Sequence, residues 1–198
     1  MKKKNLIEYE VLKFLNKETL KKIYEIYSHS LPNDILLTFG KTMYEKFANY
    51  CLIKKNGSII ISKNNNHIIG FLILEYKEIN MIKIINFHSI LNFLFHSIIN
   101  PILMIRLLYQ ILFSIKKPKN TCSLSYIAVS QKYRSKKIGN KLIIYAEKIA
   151  KKNKFKNIYT KTYNAQLAKF YLINKKAKKL KSFKIFNYNY YCLYWKLN

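Results

Sequence analysis

The chain has 198 residues, half of them apolar, which suits one packed core and is too apolar for disorder despite a formal charge of +28. Only Arg106 and Arg134 are arginines and the remaining cations are lysines spread along the chain. Readers of nucleic acid lean on arginine for bidentate contacts, so specific nucleic-acid recognition is not expected, although nonspecific attraction to anionic partners is. The three cysteines, Cys51, Cys122 and Cys192, sit in apolar contexts and read as reduced, buried thiols. Met1 to Asn5 is basic but no apolar signal region follows, so a cytoplasmic location is expected.

In chain order, Leu6 to Phe14 reads as a strand and Lys17 to Ser28 as a helix. A loop from His29 to Asn33 leads to Asp34, a capping residue for a helix from Ile35 to Asn49. Strands are expected over Ser58 to Ser62 and His67 to Tyr76, joined by a turn at 63–66. From Ile84 to Ile115 the chain is strongly apolar. His88, Asn92, His96 and Asn100 recur every four residues, as do Arg106, Gln110 and Ser114 after Pro101. That spacing draws one narrow polar stripe on each of two helices, with Pro101 opening the second. Neither half is a continuous apolar run of the ~20 residues that a bilayer span needs. The insert, about residues 84–116, therefore packs on the domain, meets another subunit, or lies in an anionic membrane interface. His88 and His96 lie two turns apart with no nearby carboxylate, and no metal site is expected.

Thr121 to Val129 reads as a strand, Ile138 to Lys152 as an amphipathic helix, Asn157 to Tyr163 as a strand and Ala165 to Asn174 as a helix. Leu180 to Phe186 and Tyr190 to Leu197 form a closing hairpin around a turn at 187–189.

The chemistry is concentrated in this last part. A buried strand ends at Val129, a cationic loop follows, and a helix opens at Ile138. A helix start presents unpaired N–H groups and partial positive charge, which suits phosphate. Gly139, one of only four glycines, sits at that start, and Arg134 lies in the same loop.

Arg134, Lys137 and Gly139 align with the Arg/Gln-x-x-Gly-x-Gly/Ala pattern that follows a strand ending in Ala-Val. Asn164, Ala168 and Tyr171 align with an Asn…Ala…Tyr signature on the next helix. The pair resembles the acetyl-coenzyme-A site of the GCN5-related N-acetyltransferase superfamily. Two features depart from it. Lys137 replaces the first glycine, and the Gly-Phe after the second helix is replaced near Lys176-Ala177.

The resemblance implies an α/β (α+β) fold over residues 1–198, with a mixed, mostly antiparallel sheet, helices on both faces and the apolar helical insert. It implies an acetyltransferase that takes acetyl from acetyl-coenzyme A. The pantetheine arm would lie along Ile127, Ala128 and Val129. Backbone N–H groups of Arg134, Ser135, Lys136, Lys137, Ile138, Gly139 and Asn140 would take the pyrophosphate. Asn164 would touch the donor and Tyr171 would protonate the departing thiolate. No general base stands out; His29, Glu75 and Glu78 are the nearest candidates. Leu31 to Asp34 with Phe39-Gly40 resembles members that acylate amino sugars for surface polysaccharide, so the acceptor is a small amine or an amino sugar. A non-catalytic binding protein of the same fold, or a nucleic-acid binder favoured by charge alone, would be the rival readings.

Overall fold

A computed structural model describes residues 7–53, 56–77, 85–112 and 115–197. The N-terminal lysines, Glu78, Ile84, Ser114 and the side chains of Arg106 and Gln110 lie outside what is described.

Seven strands form one sheet: β1 (Ile7–Val11), β2 (Gly57–Asn64), β3 (His67–Glu75), β4 (Thr121–Val129), β5 (Asn157–Thr162), β6 (Lys178–Ile185) and β7 (Tyr188–Lys196). Their order is β1-β2-β3-β4-β5-β7-β6. Every neighbouring pair is antiparallel except β4 with β5. The helices are α1 (Lys17–Ser30), α2 (Ile35–Thr38), α3 (Lys41–Ile53), α4 (Phe87–Ile99), α5 (Ile102–Leu112), α6 (Ile138–Lys152) and α7 (Ala165–Asn174). This is the mixed, mostly antiparallel architecture expected.

Strand alternation builds a core on each face of the sheet. Ile59, Ile61, Phe71 and Ile73 pack with residues of α1 to α3 on one side. Ile60, Leu72, Leu74 and Ile158 pack with α6 and α7 on the other. Glu147 of α6 ties the second layer together by accepting from Trp195 Nε1 of β7 and Lys175 Nζ beyond α7, both at 2.9 Å.

The expected helix from Ile35 to Asn49 is broken into α2 and α3. Gly40 stands between them at φ +85°, a left-handed conformation that ends a helix. A Cβ there would also fall 2.8 Å from Asn92 Nδ2 of α4. The closing hairpin turns at Phe186-Asn187, with Ile185 paired to Tyr188 and Phe186 at φ +50°, rather than at 187–189. Asn65 and Asn66, both at positive φ, make the two-residue turn between β2 and β3.

The helical insert forms as α4 and α5. Ser89, Phe93 and Ser97 are the buried side of α4. His88 and His96 are exposed, and so are Phe87, Ile90, Leu91, Leu94, Phe95, Ile98 and Ile99. The cause is local: Phe93 stacks on Phe39 at 4.6 Å and Asn92 rests on Gly40, which fixes the inward side of α4. No helix among the described residues is long and apolar enough to cross a membrane.

Candidate active site

The site begins where β4 and β5 part. Their pairing runs only from Thr121↔Asn157 to Leu124↔Thr160. Thr160 Oγ1 donates to the Leu124 carbonyl at 3.0 Å, marking the fork. Beyond it β4 continues to Val129 with β3 on one side only. Ser130 N–H donates to Ile69 on the β3 side. Backbone alternation therefore points the amides of Ala128 and Tyr126 toward β3, and those of Val129 and Ile127 into the gap. Ala128 is thus turned away from the gap, its methyl in the core with α1 and α3. At the same register β4 carries an irregularity at Ser125, whose hydroxyl donates to Glu75.

A 3₁₀ turn at Gln131–Tyr133 leads into the loop before α6. Arg134 Nε donates to the Val129 carbonyl and an Nη to Ser30 Oγ, both at 3.3 Å, which pins the loop against the strand end and α1. Ser135 and Lys137 both take positive φ, +65° and +59°. The position of Lys137 does require a left-handed backbone, so lysine rather than glycine costs on the order of 1 kcal/mol there.

Lys137 is the N-cap of α6 and supplies no capping side chain. By contrast Asn16, Asp34, Asn86 and Asn164 cap α1, α2, α4 and α7 with side-chain oxygens. The first intrahelical bond of α6 is Lys141 N–H to the Lys137 carbonyl. The N–H groups of Ile138, Gly139 and Asn140 are therefore the unpaired first-turn donors. They face a cleft of about 560 Å³ lined by Val129, Tyr133, Arg134, Ser135, Lys137 to Asn140, Phe170 and Asn174. A Cβ built on Gly139 would lie 4.0 Å from Ile127 Cδ1 and Val129 Cγ2, an ordinary contact. Neither φ nor packing thus demands glycine at 139. What it keeps open is the approach to those donors.

Three lining residues escaped the sequence reading. Tyr133 lies under the Lys136 ammonium, 5.1 Å from the ring centre. Phe170 and Asn174 come from α7 one turn apart, with Asn174 Nδ2 on the Phe170 carbonyl at 3.3 Å. Only their i, i+4 spacing opposite the Ala168–Tyr171 face could have signalled them.

Asn164 caps α7, its Oδ1 accepting from Leu167 N–H at 3.0 Å, and it does not line the cleft. Tyr171 is fully buried, stacked on Trp195, with no protein partner for its hydroxyl. Burial pushes its pKa well above the usual phenol range, so the hydroxyl keeps its proton. Lys176, at φ +49°, adopts the left-handed turn where the resemblance expects glycine, and Ala177 is buried in place of the phenylalanine.

Of the base candidates, His29 is exposed and its Nδ1 lies 2.7 Å from the Glu25 carbonyl, while Glu75 accepts from Ser125. Asp34, read as a helix cap, also reaches β4. Asp34 Oδ1 accepts from Tyr27 at 2.6 Å, from Leu36 N–H at 2.9 Å, and from Tyr126 of β4 at 3.5 Å. Among the described residues, no three His, Cys, Asp or Glu side chains gather as a metal would require.

The Acetyltransferase (GNAT) family model matches residues 20–172. The chain belongs to the GNAT acetyltransferase family. It is therefore an acetyltransferase, and its acyl donor is acetyl-coenzyme A. Solved structures share the fold over almost the whole chain. The ribosomal-protein-S18-alanine N-acetyltransferase of Escherichia coli aligns at TM-score 0.61 and 10% identity, over 98% of this chain and 95% of its own. The PaiA N-acetyltransferase of Thermoplasma acidophilum, in complex with coenzyme A, aligns at 0.59 and 16%, over 96% and 99%. A GNAT acetyltransferase of Elizabethkingia anophelis with acetyl-CoA bound aligns at 0.55 and 16%, over 98% and 100%. No curated protein matches the chain in sequence.

Proposed function

We propose that residues 1–198 act as one N-acetyltransferase domain that binds acetyl-coenzyme A between β4 and the α6 loop and acetylates a small amine. The observation that carries this reading is the uncapped start of α6 beside the end of β4 that pairs with β3 and no longer with β5. The amides of Ile127 and Val129 hold the pantetheine arm. The N–H groups from Ser135 to Asn140 take the pyrophosphate, with the Lys136 and Lys137 ammonium groups beside it; the Arg134 N–H, expected among them, donates instead to the Gln131 carbonyl at 3.2 Å. Attack of the amine on the thioester carbon forms the amide bond and breaks the C–S bond; the thiolate takes a proton from Tyr171, and the proton lost by the nitrogen restores the Tyr171 hydroxyl, so amide and free thiol are the products. Incubation with acetyl-coenzyme A and a panel of amines, amino-sugar nucleotides included, followed by mass spectrometry of the products, tests it. Absence of any acetylated product, with no thermal stabilisation by the cofactor, would overturn it.

The acceptor approaches from the α1–α5 side of the sheet. An amino sugar is the preferred class, supported by the resemblance around Asp34 and Gly40. The outer face of the insert supports a second element. Seven large apolar side chains of α4, with Ile102, Ile105 and Leu108 of α5, are exposed together. Lys178, Lys179, Lys181 and Lys184 are exposed on edge strand β6, beside α5 through the Tyr109–Phe183 stack. Apolar helices flanked by cations match an anionic lipid surface. A second copy carrying the same +28 charge would be repelled. We therefore place the enzyme in the cytoplasm at the inner face of the membrane.

A further inference from the structure

Lysine and arginine make up 37 of the 198 residues, yet from Ile84 to Ile115 the chain holds one of them, Arg106, and no Asp or Glu. Burial of the whole stretch would explain that, but α4 is not buried. Phe95, Ile98 and Ile99 are 63%, 83% and 68% exposed, and Leu91, Leu94 and Leu108 of α5 are close to half exposed. The lysine-rich character of the surface therefore stops where this face begins, and apolar side chains scattered singly do not account for a patch so continuous. Cations return at its margin. Lys116 and Lys119 are exposed after α5, and Lys178, Lys179 and Lys184 are exposed on β6, which meets α5 through Phe183 and Tyr109. An apolar face with a cationic rim fits hydrocarbon beneath it and anionic headgroups around it. A second copy would bring an identical cationic rim against this one.

The inward side of the same helices reaches the acceptor side of the site. Phe93 of α4 stacks on Phe39 at 4.6 Å, and Asn92 Nδ2 lies 2.8 Å from where a Cβ on Gly40 would stand. Phe39 closes α2 and Asp34 opens it. Asp34 Oδ1 accepts from Tyr126 at 3.5 Å, and Tyr126 immediately precedes Ile127, whose amide faces the gap beyond the β4–β5 pairing. Met104 and Leu107 of α5 pack against the same buried cluster as Tyr126. The outer face of α4 is thus one helix diameter, about 10–12 Å with side chains, from its seat on α2. An anchor would need only the outer face. Here the surface that meets lipid is also braced against the elements that border the acceptor.

We infer that the acceptor is a lipid, its amine carried on a headgroup of the amino-sugar class preferred above and acetylated while its apolar chain stays in the anionic bilayer beneath α4 and α5. The bilayer confines the amine to the layer on which the enzyme rests and raises its local concentration, as a tether does for a second binding event. The bond changes are those given above, amine and thioester yielding amide and free thiol. The proposal rests on the acetyltransferase reading and names the substrate class of that site.

Two probes with one headgroup test it: hexadecyl glucosaminide embedded in phosphatidylglycerol vesicles, and methyl glucosaminide in solution with the same vesicles present. At saturating acetyl-coenzyme A, kcat/KM for the hexadecyl probe should be higher by about 10-fold or more. Added salt should erase that preference and leave the methyl rate unchanged, because screening releases the enzyme from the anionic surface. The triple variant Leu91→Ser, Leu94→Ser and Leu108→Ser should lose the preference as well. A control pair, Phe14→Ser with Ile144→Ser, removes exposed apolar side chains outside the insert and should keep it. Equal kcat/KM for the two probes in the parent overturns the lipid acceptor, and so does acetylation of neither. A preference that survives both salt and the triple change, or an equal loss in the control pair, overturns it too. A dimer that the triple variant splits, with equal rates on the two probes, would assign the face to a second copy instead. Calorimetry with coenzyme A separates the failures: lost binding in the parent strikes the acetyltransferase reading itself, and retained binding confines the failure to the lipid acceptor.

Discussion

The Tyr171 ring lies parallel to the indole of Trp195, centroids 5.1 Å apart and planes 18° from each other. Trp195 is in turn fixed by its Nε1 bond to Glu147, so Tyr171 is held by three elements at once. A hydroxyl sealed in this way without a protein partner costs stability, about 1–3 kcal/mol for an unpaired buried group. Tyr171→Phe keeps the stack and removes that cost. The expected outcome is a melting temperature raised by a few degrees, at about 2–4 °C per kcal/mol for a chain of this size. Turnover should fall by ~10²–10⁴ with cofactor affinity little changed. A turnover number equal to the parent's would make Tyr171 a core residue only.

Gly139 should separate binding from folding. In the first turn of α6 an alanine Cβ meets only ordinary contacts, and alanine favours helix over glycine by about 1 kcal/mol. Gly139→Ala, which the family pattern admits, should hold or raise the melting temperature and keep coenzyme A affinity within a few-fold of the parent's. Gly139→Asp should fold well too, since a carboxylate suits a helix start, yet bind no coenzyme A because it repels the pyrophosphate. Parent-like affinity in the aspartate variant would remove the pyrophosphate site from α6.

Stability should fall on the alkaline side. Burial raises the pKa of Tyr27, Tyr44, Tyr126 and Tyr171, and of Cys51, Cys122 and Cys192, with Cys122 pushed up to about 12. A raised folded pKa means the native state holds the proton more tightly than the unfolded chain. The contribution is complete below the unfolded pKa and is lost as pH rises above it. The thiols begin this loss near pH 9 and the phenols near pH 10, each at about 1.4 kcal/mol per pH unit. Lys161, with a lowered pKa, acts in the opposite direction but is one group against seven. Urea midpoints should be flat from pH 7 to 8.5 and drop steeply by pH 11. A flat profile to pH 11 would contradict the burial of these groups.

The outward apolar face of α4 and α5 predicts sedimentation with anionic vesicles, weakened by salt and by neutral lipid. Leu91, Leu94 and Leu108 are exposed and carry the test, whereas Leu107 packs into the core and would confuse it. The triple change to serine should leave the melting temperature near the parent's and abolish sedimentation. Protein that stays in the supernatant at low salt with anionic vesicles would exclude lipid as the partner of this face.

Local chemistry made most of the elements legible. The limits of β4, α6 and α7 coincide with those read from the chain, because period-2 and period-3.6 patterns there are bounded by strong turn residues. The motif around Arg134, Gly139 and Tyr171 was equally plain, since residues that share a loop or a helix face are near one another in sequence. Lysines at 137, 154 and 176 hide left-handed positions that glycine would usually announce, and only the backbone revealed them. Tertiary structure alone decided the rest. The side of α4 turned inward is set by Phe39 and Gly40, about fifty residues away, and not by its own periodicity. Asp34 met Tyr126, and Lys161 came into register with Lys181 through Cys192, because strand pairing joins residues that no local pattern relates.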